Sequence, residues 1–126
     1  MEIVSFDIAK KLKEKGFDYP CYDAINSFGC TYRNGWCEYL DDRDNELITL
    51  ADLHKGDCLL PTISQVLKWL REKYVMVFPV YSTNTSRWYC SIVNADSLDT
   101  YKLTLSDSYE LAVLAGIEYV IDNNLI

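Results

Sequence analysis

The sequence predicts an α+β fold: an antiparallel sheet with helices packed on one face, its C-terminal half ordered helix-strand-strand-strand-helix. Three observations carry this expectation. Apolar residues recur at helical spacing near both ends of the chain and again after Pro61. Three segments between the second and third of these stretches alternate with period two. The links joining those segments are short and polar, which suits an antiparallel meander, because a parallel crossover needs a dozen residues or more.

Taking the elements in order, Ser5 caps a helix over about 6–15, with Phe6, Ile8, Ala9 and Leu12 on one face and Gly16 as its stop. Lys10, Lys11, Lys13 and Lys15 suit the negative end of its dipole. Residues from Tyr19 to Asp41 are rich in aromatic and β-favouring types. They predict two antiparallel strands, at Cys21–Ile25 and Trp36–Leu40, joined by a long connection from Asn26 to Gly35. Leu47–Leu53 fits either a short strand or a helical turn. Thr62 and Gln65 form a capping box that opens a second helix, with Ile63, Val66, Leu67 and Leu70 inward and Trp69 near the edge of the stripe, ending about Tyr74. Strands then follow at Val75–Tyr81, Arg87–Val93 and Thr100–Leu105, and Pro79 restricts the first of them to a sheet edge or a bulge. Trp88, Cys90 and Ile92 share one face of the second strand, and Tyr101, Leu103 and Leu105 one face of the third. Asp107 or Ser108 caps the last helix, which offers Leu111, Ala112, Leu114, Ala115 and Val120 to the core, while Gly116 inside it implies a close neighbour.

The chain has 126 residues, 49% apolar and 25% charged, with five Gly and three Pro. That is enough to bury a core without disulfides or a structural metal, so a single domain over residues 1–126 is expected. The net charge of −7 is uneven: residues 1–60 carry twelve Asp and Glu against seven Lys and Arg, and residues 61–126 seven against five. The run Asp41, Asp42, Asp44 and Glu46 accounts for much of this and reads first as a solvated loop. Phosphate binding would call for the opposite sign. Although helix-strand-strand-strand-helix is also the order of double-stranded-RNA-binding domains, such a domain needs cations at the start of its last helix. Here that position holds Asp107, Ser108, Tyr109 and Glu110, so nucleic acid is not the expected partner. The lysine-dotted N-terminus lacks the apolar core of a secretory signal, and no apolar run is long enough to span a membrane.

Five cysteines, at 21, 30, 37, 58 and 90, are an odd set, which predicts reduced thiols and a cytoplasmic location. Cys21, Cys30, Cys37, His54 and Cys58 together could ligate zinc. However, gaps of nine, seven and twenty-one residues between successive cysteines are unlike the paired spacing of structural sites. A cysteine nucleophile would have to use His54, the only histidine, as its base, and no cysteine lies in a recognisable nucleophile motif. The acidic run lacks the glycine and closing glutamate of a calcium loop, and no Walker or dinucleotide pattern occurs, so no cofactor is expected.

The closing possibility is an interaction surface. The chain holds ten Tyr and three Trp, and Tyr22, Tyr32, Trp36 and Tyr39 cluster in sequence beside Asp41, Asp42 and Asp44. Strand packing explains aromatics of this kind, but Tyr and Trp are also the residues enriched where proteins bind one another. The expectation is a small non-enzymatic accessory protein that binds another protein through this aromatic and acidic surface. The alternatives are a cysteine-dependent enzyme or zinc-binding protein, and an acidic mimic of nucleic acid that captures a basic partner.

Three blocks carry a resemblance: Ile8–Phe17 (IAKKLKEKGF), Pro61–Lys73 (PTISQVLKWLREK), and Ser108–Ala112 with Ala115–Ile117. They resemble a family of small uncharacterised proteins of phages and mobile elements in gut anaerobic bacteria. The resemblance covers most of the chain in outline, with Ser27–Asp57 departing from shorter members. It implies a bacterial, phage-associated, cytoplasmic protein, and it implies no activity and no functional residues.

Overall fold

A computed structural model describes residues 3–33 and 47–126 of the chain. By contact these fall into two compact units, Ile3–Thr62 and Ile63–Ile126.

The first unit opens with helix α1, Phe6–Glu14, as expected. The Ser5 hydroxyl accepts from the Ile8 amide at 3.3 Å, satisfying one orphan donor of the first turn. The other end closes in a Schellman motif: Phe17 N donates to Leu12 O at 3.0 Å and Gly16 N to Lys13 O at 3.1 Å. That motif needs a left-handed residue, and Gly16 supplies it with φ +86°. Ile8, Ala9, Leu12 and Phe17 are buried.

The sheet of this unit has three short antiparallel strands in the order β2-β1-β3: β1 is Asp23–Ile25, β2 Thr31–Arg33 and β3 Cys58–Leu60. The expected partner of the first strand is thereby corrected. β1 pairs with Thr31–Arg33 across a tight hairpin, not with a strand at Trp36–Leu40, which lies outside the described residues. Asn26 makes the short turn possible. Its Oδ1 accepts from Phe28 N at 2.9 Å and Cys30 N at 3.0 Å, its own amide donates to Cys30 O, and Gly29 takes φ +85°. β3 is buried throughout and packs against α1. Leu47–Leu53 contains both of the conformations expected for it: Ile48 bridges Cys21, and Leu50–Asp52 forms a 3₁₀ turn.

The second unit has the expected order: α2 (Ile63–Glu72), β4 (Val75–Ser82), β5 (Arg87–Asn94), β6 (Thr100–Lys102) and α3 (Tyr109–Asp122). The sheet is a β4-β5-β6 meander. Its main ladder runs without a bulge from Val75↔Asn94 to Ser82↔Arg87, and Pro79 is accommodated because β4 is an edge strand. Helices α2 and α3 pack on one face: α3 lies on β4 and β5, and α2 along β4 and against α3. Ser108 is the cap of α3, accepting from Leu111 N at 3.1 Å.

Three burial assignments change. Trp69 is buried, not at the edge of the stripe, while Leu67 is only half-buried. Leu105 is exposed: β6 ends at Lys102, and beyond it the chain bonds to β5 through Leu103 N, which donates to Cys90 O at 2.9 Å, and through the bridge of Ser106 to Trp88. Helix α3 buries Ala112, Val113, Gly116, Ile117, Val120 and Ile121, and leaves Leu111 and Ala115 exposed. The close approach expected at Gly116 is present. A Cβ there would lie 2.8 Å from Val77 Cγ1 and closer still to Cys90 Sγ.

Candidate functional site

Of the residues expected to form the aromatic and acidic surface, the structure describes two. Tyr22, just before β1, is exposed. Tyr32, on β2, is half-buried, and its hydroxyl donates to Asp57 Oδ2 at 2.6 Å. Burial first, and that bond second, push the Tyr32 phenol up to about 12. Tyr32 is thus engaged in holding the loop before β3. Trp36, Tyr39, Asp41, Asp42 and Asp44 lie outside the described residues. Phe28, at the tip of the β1–β2 hairpin, is 88% exposed and adds an aromatic to this part of the molecule that the sequence reading did not single out.

Three of the described thiols are buried and held protonated. Burial pushes Cys21 up to about 12 and Cys90 to about 11, and it raises Cys58 as well. A nucleophilic cysteine needs the opposite shift. Cys30 is exposed at the end of the hairpin turn, and Cys37 lies outside the described residues. Among the described residues no three His, Cys, Asp or Glu side chains converge as a metal site would require.

Two surfaces stand out. The first is the face of the second unit's sheet opposite the helices. Because side chains alternate along a strand, the residues that face away from Val77, Cys90 and Ile92 are Met76, Phe78, Val80 and Ser82 on β4 and Arg87, Tyr89, Ser91 and Val93 on β5, with Thr100 and Lys102 on β6. Phe78 is 47% exposed, and the Lys102 ammonium sits 4.4 Å from the centroid of the Tyr89 ring. An antiparallel sheet with one solvated face usually carries polar residues there, and here Met76, Phe78, Val80, Tyr89 and Val93 form an apolar patch bordered by Ser82, Arg87, Thr100 and Lys102.

The second is a groove of about 510 Å³ in the first unit. Phe6, Lys10, Lys13 and Glu14, which fall on one side of α1 by their spacing, form one wall. Ser27 from the hairpin, Gly56 and the Cys58 thiol form the rest. The Lys10 ammonium lies 5.3 Å from the Phe6 ring centroid, and Lys13 Nζ donates to Asp57 O at 2.7 Å.

No family model, curated protein or solved structure matches the chain. Among the described residues no helix is long and apolar enough to cross a membrane.

Proposed function

We propose that this chain is an accessory protein that acts by binding another protein, and that the open sheet face of its second unit receives the partner. The observation that carries the reading is the outward row Met76, Phe78, Val80, Tyr89 and Val93, apolar where solvent-facing positions would be polar.

Dimensions favour a helix as the occupant. Eight residues of β4 and β5 extend about 26 Å, and three strands span about 10 Å between the outer two. One amphipathic helix about 17 residues long, with a diameter near 10 Å, matches that area. Lys102 at the rim suits a partner helix with an acidic flank. The raised thiols count against the alternative of a cysteine enzyme.

The test is capture of partners by the tagged chain and by two variants, Phe78→Asp and Tyr22→Ser, with hydrogen exchange on the purified complex. The reading expects a partner that is lost with Phe78→Asp, retained with Tyr22→Ser, and protective of residues 76–82 and 87–93. Loss with Tyr22→Ser alone would move the site to the aromatic surface of the first unit. A partner retained by both variants, or a basic one released by moderate salt, would overturn the sheet-face assignment.

A further inference from the structure

The groove beside α1 is independent of the sheet face, and its lining has a different chemistry. The volume, about 510 Å³, falls in the range of small-molecule sites. The Phe6 ring supplies an apolar wall and the Cys58 thiol, 3% exposed, an apolar floor. Four charged groups act on this hollow, the Lys10 and Lys13 ammoniums of its wall and the Glu14 and Asp57 carboxylates. The Ser27 hydroxyl adds a neutral polar group.

The field of these ammoniums reaches the floor. Burial raises the Cys58 thiol, and Lys13 and Lys10 are the two strongest influences pulling the other way. A negative group placed above Cys58 would meet the same two charges. Lys13 is held in place by its bond to Asp57 O, so it is positioned before any ligand arrives. Lys10 is exposed on the helix and can turn from the Phe6 ring toward a ligand.

We infer that this groove binds a small organic monoanion, a carboxylate carried on a flat apolar body, with the apolar part against Phe6 and Cys58 and the carboxylate between Lys10 and Lys13. A phosphate monoester, which carries a charge of about −2, would bring its surplus against Glu14 and Asp57. Gly56 lines the opposite wall with φ +89°, a conformation that keeps a side chain out of the groove.

The experiment is an amide-resolved NMR titration with naphthalene-2-carboxylate and with its neutral counterpart of the same shape, naphthalene-2-carboxamide. The carboxylate is expected to shift amides at 10–14, 27–28 and 56–58, and to bind about tenfold more tightly than the amide, as one charge-assisted hydrogen bond provides. Lys10→Gln, at an exposed position, should leave Tm unchanged and bring the two probes to within about twofold of each other. Three results would overturn the inference: equal affinity for the two probes, shifts centred on residues 76–82 and 87–93 instead, or no saturable shift at low millimolar probe.

Discussion

Changing Gly116 to Ala sets two effects of opposite sign against each other, and the structure decides which wins. In an exposed helix the substitution stabilises by about 1 kcal/mol, because alanine loses less backbone entropy on folding. Gly116 is buried within α3, however, and its new Cβ would lie 2.8 Å from Val77 Cγ1 and well inside van der Waals contact with Cys90 Sγ. Cys90 is 1% exposed and Val77 8%, and both are anchored in the long β4–β5 ladder, so neither can swing aside into solvent. Overpacking at such a site costs about 1–3 kcal/mol, and with both neighbours fixed the upper part of that range applies. The net expectation is a loss of about 1–2 kcal/mol after the propensity gain is subtracted. In a chain of this length that lowers Tm by about 4 °C for each kcal/mol. Urea unfolding followed by circular dichroism measures it, with the slope unchanged and the midpoint lowered. Adding Cys90→Ala removes the nearer obstacle, so the double variant should lose about 1 kcal/mol less than the two single losses combined. A Gly116→Ala protein more stable than the parent, or strict additivity in the double variant, would refute the packing of α3 on β4 and β5 at this point.

Two further expectations concern the first unit and the buried thiols. Cys21 and Cys90 rise from 9.0 to about 12 and about 11, and Tyr32 from 10.0 to about 12. The folded chain therefore keeps protons that the unfolded chain releases. Their contribution is complete below pH 9 and is lost as pH climbs through 9 to 12, so the urea midpoint should fall between neutral pH and about pH 10.5; a constant midpoint would contradict the buried, protonated thiols. Tyr32→Phe removes the 2.6 Å donor from the buried Asp57 carboxylate, and should cost about 1–3 kcal/mol in the same assay while reducing the alkaline loss; an unchanged midpoint would show that water replaces the phenol at no cost.

Elements with a local cap were legible in the sequence, and those defined by long-range pairing were not. Ser5, Gly16 and Ser108 mark helix ends through bonds made within four residues, and the structure shows each doing so. The hairpin at Asn26–Cys30 also had its local mark, Asn at the first position and Gly29 at the left-handed one. The aromatic run near Trp36 is the stronger strand former by composition, and three residues of Thr31–Arg33 are too few to show alternation. β3 fails for the same reason: Cys58, Leu59 and Leu60 are all buried, so no period exists to read. The face of α3 was misread because the helix is apolar nearly all round. The choice of Val113 and Ile117 over Leu111 and Ala115 is made by the sheet it lies on.

The two candidate surfaces differ in a parallel way. The period-two pattern expected over Val75–Tyr81 is present in burial but not in polarity: β4 buries Val75 and Val77, while Val75, Met76, Val77, Phe78, Pro79 and Val80 form a continuous apolar run. β6, with Thr100 and Lys102 outward, follows the rule that β4 breaks, so the apolar character of the open face is concentrated on the two long strands and does not follow from the fold. The groove had no equivalent sign. Lys10 and Lys13 were explained by the dipole of α1, and that explanation holds for the helix by itself. Their second role exists only because the hairpin brings Ser27, and the turn before β3 brings Gly56 and Cys58, to the same side of α1. A charge that already has an adequate local reason gives no hint in sequence that the fold has placed an apolar hollow beside it.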